Sequence, residues 1–193
     1  MKLAATIMMA ALMGVVAHAA DRNVTVCMEG GEARSAESSA RALAATMFAR
    51  VGVTIKWRLG LRGCSRQGIQ VSLSEHTPTA LYPDALAWAQ PYEGTQIRVF
   101  SDRIAQTHGP AEAPIVLAHV LVHEITHVLQ GVSRHSDQGV MKAQWEQRDF
   151  MLMRWEPLLF TDEDVHLIRQ GLAHRAAGPA PSPNRAFIPE SSE

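Results

Sequence analysis

The chain has 193 residues, 47% of them hydrophobic, and its 18 Lys and Arg against 19 Asp and Glu give a formal net charge of −1. Less a leader and a tail, that length makes one domain of ordinary size with a sizeable core. The near balance of charge, without any basic run, offers nothing for nucleic acid or an anionic membrane to bind, and no internal repeat is present.

Residues 1–19 read as a secretory signal peptide. Lys2 supplies the positive start, Leu3–Val16 is an apolar run without charge, and Ala17-His18-Ala19 is an A-x-A cleavage site. The apolar run falls short of the about 20 residues that span a membrane, so no stable membrane association is expected, a retained anchor being the alternative. The mature chain then begins at Ala20 and is periplasmic or secreted; loss of Lys2 leaves 17 basic against 19 acidic residues, a net of −2. In an oxidising compartment Cys27 and Cys64 most simply form one disulfide, tying the first strand to a later loop. Such a closure contributes about 3 kcal/mol.

Asn23–Met28 (NVTVCM) alternates and is β-rich, which predicts a first strand. Ser38–Val51 carries Ala, Leu and Met at helical spacing and stops at Gly52. Val53–Leu59 and Ile69–Leu73 read as further strands. Ala85–Gln90 and Gln96–Phe100 read as a fourth and fifth, joined by a Pro91-Tyr92-Glu93-Gly94 turn. Ser101–Ile104 leads into a loop with Gly109, Pro110 and Pro114, after which an apolar helix runs to Gln130. Trp145, Phe150, Met151, Met153 and Trp155 are expected to form core beneath the preceding segment. Thr161-Asp162-Glu163-Asp164 reads as an N-cap with an acidic first turn, opening a last helix through about Ala173. His166 and His174 on it are expected in solvent. From 177 to 193 the chain is rich in Pro, Ala and Ser and reads as disordered tail, leaving 20–176 as a single domain.

The chemistry centres on residues 117–141, LAHVLVHEITHVLQGVSRHSDQGVM. Residues four apart on a helix share one face, so His123 and His127 can present two imidazoles to one metal. Glu124, displaced by one residue, reaches a metal-bound water instead. Two neutral nitrogens and a carboxylate to take a proton suit zinc hydrolysis. A catalytic zinc commonly has three protein ligands and an open position. Gly131 stands where a helix ends at positive φ, so the chain can turn back and present His135. His119 is also on the helix face, but at 1.5 Å per residue it stands roughly 12 Å from His127 along the axis. It is read as a buried or supporting residue rather than a ligand.

This segment resembles the metzincins, a clan of zinc-dependent endopeptidases. Their pattern is H-E-x-x-H-x-x-G-x-x-H followed by a turn carrying a methionine beneath the metal. His123, Glu124, His127, Gly131, His135 and Met141 fall in that order, and His135-Ser136 also resembles the matrixin branch. Gly131 lies four residues after His127, and His135 four after Gly131, so the loop is two residues longer than the family's. The resemblance implies an α+β fold: a metzincin-like zincin domain with a mixed twisted sheet of 4–5 strands, a backing helix, an active-site helix and a C-terminal helix. It implies Zn2+ on His123, His127 and His135, Glu124 as general base, and Met141 as the floor of the site. A peptide or protein is the implied substrate, cut by a monomer. In that family an edge strand before the zinc helix pairs with extended substrate, and Ala85–Gln90 or its neighbour is the match here. Where many metzincins add a tyrosine after the turn methionine, this chain has Ala143. Some members block zinc with a propeptide thiolate; with the domain starting near Asn23, the disulfide is the preferred reading of Cys27 and Cys64.

Other readings stay open. A gluzincin-like site takes its third ligand from a later acid, with Glu146 the best candidate. An exported zinc-binding interaction module has no turnover, although it has no use for Glu124. A metal-dependent hydrolase acts on a non-peptide substrate, and a toxin is directed at a host or competitor.

Overall fold

A computed structural model of the chain describes residues 22–29, 35–75, 77, 85–89 and 95–177. The expected leader, the Pro91–Gly94 turn and residues 178–193 of the expected tail lie outside them. The described elements are β1 (Asn23–Met28), α1 (Ser35–Arg50), β2 (Thr54–Leu59), β3 (Ile69–Ser74), β4 (Ala87–Ala89), β5 (Gln96–Phe100), α2 (Ser101–Thr107), α3 (Ala113–Gln130), α4 (Gln147–Met153) and α5 (Asp162–Ala177).

The strands form one mixed sheet in the order β2-β1-β3-β5-β4. β1 pairs in parallel with both β2 and β3, β3 with β5 likewise, and β4 closes the sheet antiparallel to β5. A parallel strand with neighbours on both sides is covered on both faces, which explains why Val24, Val26, Cys27 and Met28 are all buried. Cys27 leaves this core only through its disulfide to Cys64, with Cα atoms 6.0 Å apart. α1 carries the chain from β1 to its parallel partner β2 and buries Ala40, Ala44, Met47 and Phe48, one helical stripe. Gly52, at φ 79°, then turns the chain into β2.

α3 is the core helix. By length and composition it would span a membrane, but most of it is buried within the protein, against α1, α2, α4, α5 and the strands β4 and β5. It begins earlier than the sequence predicts because Pro114 sits in its first turn, where a missing N–H costs nothing. α5 crosses the far end of α3 at Gly171, where a Cβ would lie 1.8 Å from the Leu129 carbonyl oxygen. Only a residue without a side chain permits that approach.

Two helices depart from expectation. Residues 101–107 form α2 rather than the start of a loop, and α4 was not expected at all. α4 also corrects the expected core cluster. Phe150 and Met153 face inward with Trp145, whereas Met151 (49% exposed) and Trp155 (89% exposed) lie in solvent. At about 100° per residue, Met151 and Trp155 fall on the side of the turn opposite Phe150 and Met153. α5 runs on to Ala177, past the expected end, because nothing in its Ala-rich last turns stops it. His166 and His174 are exposed on it.

Candidate metal centre

His123 and His127 stand one turn apart on α3, and both rings are fixed by backbone carbonyls. His123 Nδ1 lies 2.9 Å from the Val140 oxygen, and His127 Nδ1 3.1 Å from the Val132 oxygen. A carbonyl oxygen only accepts, so each neutral ring keeps its proton on Nδ1 and donates it there. Both Nε2 atoms are therefore bare acceptors, yet they face each other at 3.0 Å. Two lone pairs at that distance repel unless a cation lies between them. Two nitrogens on a tetrahedral zinc at about 2.0–2.1 Å would stand about 3.3 Å apart, close to what is seen.

The third ring arrives from beyond the helix end. Gly131, at φ 68°, closes α3 in the left-handed conformation, its N–H donating to the His127 carbonyl (2.9 Å). The returning loop brings His135 to the pair, so that one ring nitrogen from each of His123, His127 and His135 lies within 4.8 Å of the others. Among the described residues this is the one such trio of metal-ligating side chains. His123 and His127 are buried, while His135 is exposed and forms the outer wall.

Burial keeps the three rings neutral, as a metal ligand requires. Removal from water, reinforced by the neighbouring His127, lowers the pKa of His123 to about 3. Burial takes His127 down to about 4 and moves His135 in the same direction. Glu124 follows His123 on the helix and is half-buried, and its densely packed surroundings raise its pKa to about 7. It opens with the three histidines onto a cleft of about 590 Å³. Trp145 and Phe150 form one wall of the cleft, and Trp145 stands edge-on to His123 with ring centres 5.7 Å apart. The strand β4 lines the same cleft.

The orientation of β4 follows from its hydrogen bonds. The Phe100 N–H donates to the Leu86 carbonyl (2.8 Å), and Trp88 pairs with Arg98 in the same register. Antiparallel pairs alternate, so Trp88 directs its N–H and C=O at β5, while Ala87 and Ala89 direct theirs away from it. Among the described residues β4 is the last strand of the sheet, and it leaves those groups on an edge beside the cleft.

After His135 the chain makes a second turn at Gly139 (φ 76°), where a Cβ would lie 2.2 Å from the Leu159 oxygen. The Val140 N–H bonds to that oxygen (3.0 Å), and the Met141 carbonyl accepts from the Ser136 N–H (2.8 Å). Met141 itself is fully buried. His119 is buried with both nitrogens occupied: Nδ1–H donates to the Ile115 carbonyl (2.8 Å) and Nε2 accepts from the Leu158 N–H (3.1 Å). It takes no place in the trio. Nor does Glu146, the alternative ligand, which is exposed at the start of α4 and pairs with Lys142 at 3.3 Å.

One residue with a part in this region carries no local sequence signal. Asp164, read from sequence only as an acid of the first turn of α5, is fully buried. Its carboxylate accepts from Ser136 Oγ at 2.6 Å and from the Arg134 guanidinium at 3.3 Å, the two residues flanking His135. A pairing across 28 positions leaves no periodicity to read.

No family model matches the sequence, and no curated protein matches it. Among solved structures, the fold is similar to that of archaemetzincin from Methanopyrus kandleri. The TM-score is 0.58, with 79% of this chain and 97% of that chain covered at 14% identity. At that identity the likeness is one of fold, a zincin-like α+β architecture. The clustered histidines are independent of it and are consistent with zinc.

Proposed function

We propose that the chain is an exported, zinc-dependent peptidase of the metzincin kind. One observation carries this reading: two unprotonated Nε2 atoms held 3.0 Å apart by carbonyl-anchored rings, with a third imidazole closing on them. His123, His127 and His135 would hold the ion. Three neutral nitrogens with an open side suit zinc, and the fold likeness to archaemetzincin supports the same choice. Bound there, zinc supplies Lewis acidity and lowers the pKa of a water toward about 7.

The remaining work falls to the chain's own groups. Glu124 takes the proton of the attacking water on its carboxylate and delivers it to the leaving amine. Its unusually basic carboxylate in the absence of cation is a result of burial, and a neighbouring cation restores the charged, proton-accepting form. Ala87 and Ala89 offer backbone N–H and C=O groups to an extended polypeptide, which fixes the scissile bond without regard to side chain. Trp145 and Phe150 give the cleft an apolar wall for one substrate side chain and exclude water there. The Gly131–His135 loop would hold the third ring, and the buried Met141, whose carbonyl accepts from the Ser136 N–H, would serve as the floor of the site. Export, to the periplasm or beyond, rests on the leader and on the Cys27–Cys64 disulfide, a bond of oxidising compartments.

The deciding experiment is hydrolysis of a broad quenched-peptide library by zinc-loaded wild type and by Glu124→Ala. Cleavage by the wild type alone is expected. Equal rates for the two would reduce the site to a binding module, and cleavage of other ester or amide libraries alone would move it to a non-peptide substrate.

A further inference from the structure

His135 occupies the least supported position of the trio. It is exposed, lies in a loop with no helical or sheet pairing at the residue itself, and the loop is two residues longer than the metzincin pattern. Backbone freedom in such a loop costs affinity, because each residue that is ordered when the ring is fixed loses conformational entropy. A site of this kind needs something that orders the loop before the ion arrives.

Resting on the reading just given, we infer that Asp164 is a positioning residue for the metal site, which pre-orders His135 by clamping its two neighbours. The carboxylate is fully buried and accepts hydrogen bonds from both sides of the ligand: Ser136 Oγ at 2.6 Å and Arg134 Nη1 at 3.3 Å. Arg134 is held a second time by Glu163 at 3.0 Å, on the same turn of α5. Ser136 is held a second time by its N–H on the Met141 carbonyl, 2.8 Å away. Position 135 is thus suspended between two anchored residues, and the anchor is rigid. Asp164 Oδ2 accepts from the Thr161 N–H (2.8 Å) and Oγ1 (2.7 Å), while the Asp164 N–H returns a bond to Thr161 Oγ1 (3.2 Å). α5 is in turn locked to the end of α3 through Gly171 and Leu129. The two helices therefore supply the ligands as one unit: α3 directly, α5 through Asp164 and the loop. Outer-sphere hydrogen bonds of this kind commonly change metal affinity by about 10–100-fold.

The test compares wild type, Ser136→Ala, Asp164→Asn and a control, Met47→Ala, which removes core packing on α1 away from the site. Zinc affinity is measured by chelator competition, and the visible spectrum of the cobalt-substituted protein reports the ligand set. Ser136→Ala is expected to bind zinc about 10-fold more weakly and Asp164→Asn up to about 100-fold, both with an altered cobalt spectrum. Met47→Ala is expected to lower thermal stability while leaving affinity and spectrum unchanged. Ser136→Ala is the decisive variant, since it leaves the α5 cap intact and folds even where Asp164→Asn fails to. Wild-type affinity and spectrum in Ser136→Ala would overturn the inference, as would an affinity loss in Met47→Ala that follows its stability. A wild type that binds no metal would instead overturn the peptidase reading beneath it, and the inference with it.

Discussion

Gly171 of α5 approaches the Leu129 carbonyl of α3 so closely that a Cβ there would fall 1.8 Å from the oxygen. Gly171→Ala must therefore push the two helices apart. A loss of at least about 2 kcal/mol is expected, which lowers Tm by roughly 5 °C for a chain of this size. Because α5 carries Asp164, zinc affinity should fall with it. An unchanged melting midpoint would show that α5 slides without cost.

On the proposed reading Glu124 has no part in holding the ion. Glu124→Gln should keep one zinc per chain while kcat on a cleavable peptide drops by about 10²–10⁴-fold, the usual share of a general base. Metal content by emission spectroscopy and single-turnover kinetics check the two halves separately. Loss of zinc along with activity would make Glu124 a ligand.

His135 and Glu146 lie at opposite ends of a second comparison. His135→Ala should weaken zinc binding by two orders of magnitude or more, since removing one of three protein ligands leaves a pair. Glu146→Ala should bind as tightly as wild type, because that carboxylate is exposed and engaged with Lys142 at 3.3 Å. The reverse order of affinities would restore the later acid as third ligand.

Acid should destabilise the fold through His119. Burial holds this imidazole below its ordinary value of 6.5, opposed in part by its bond to Ile115. The unfolded chain takes up the proton first, so the stabilisation is complete above pH 6.5 and is lost as pH falls below it. The melting midpoint of the metal-free protein should therefore decline between pH 7.5 and about 5.5; the lowered pKa values of His123 and His127 act in the same direction, and His119 should account for up to about 1.4 kcal/mol per pH unit of the decline. The His119→Gln variant, less stable at pH 7.5, should decline less steeply. Parallel curves for the two proteins would remove His119 as the cause.

The Cys27–Cys64 bond closes a loop with a sequence separation of 37. The double variant Cys27→Ala/Cys64→Ala should lose about 3–4 kcal/mol, and wild type in excess dithiothreitol should melt with it. The site itself is built from other elements, so zinc affinity at 25 °C should hold in the variant. A midpoint unaffected by reductant would mean that the bond does not form in solution.

Much of this was legible from residues alone, for reasons that differ by element. β1 is found where expected because NVTVCM has both β-rich composition and clean flanks, and Gly131 ends α3 because only glycine takes its φ of 68° cheaply. The histidines at 123, 127 and 135 come together because helical spacing handles the first two and the glycine turn handles the third. α2 and α4 were missed because seven residues give barely two turns of periodicity, too few to separate from a loop. Met151 and Trp155 were misplaced for the same reason: without the helix, their side of it was unknown. Pro114 suits a loop and the first turn of a helix equally, so the start of α3 is not fixed by its sequence. Asp164 lay beyond reach because its partners are set by tertiary packing, and an acid early in a helix already has a sufficient local reason to be there.

Among the described residues β4 is three residues long and is paired on one side only. Bare peptide groups on a sheet margin accept extended chains indiscriminately, and a neighbouring copy of the same margin is one of them. So short a strand offers too few bonds for two copies to stack stably, whereas a polypeptide substrate of the proposed kind would gain the aromatic wall as well. Lengthening β4 would therefore trade selectivity for clumping, which gives its brevity a purpose beyond geometry.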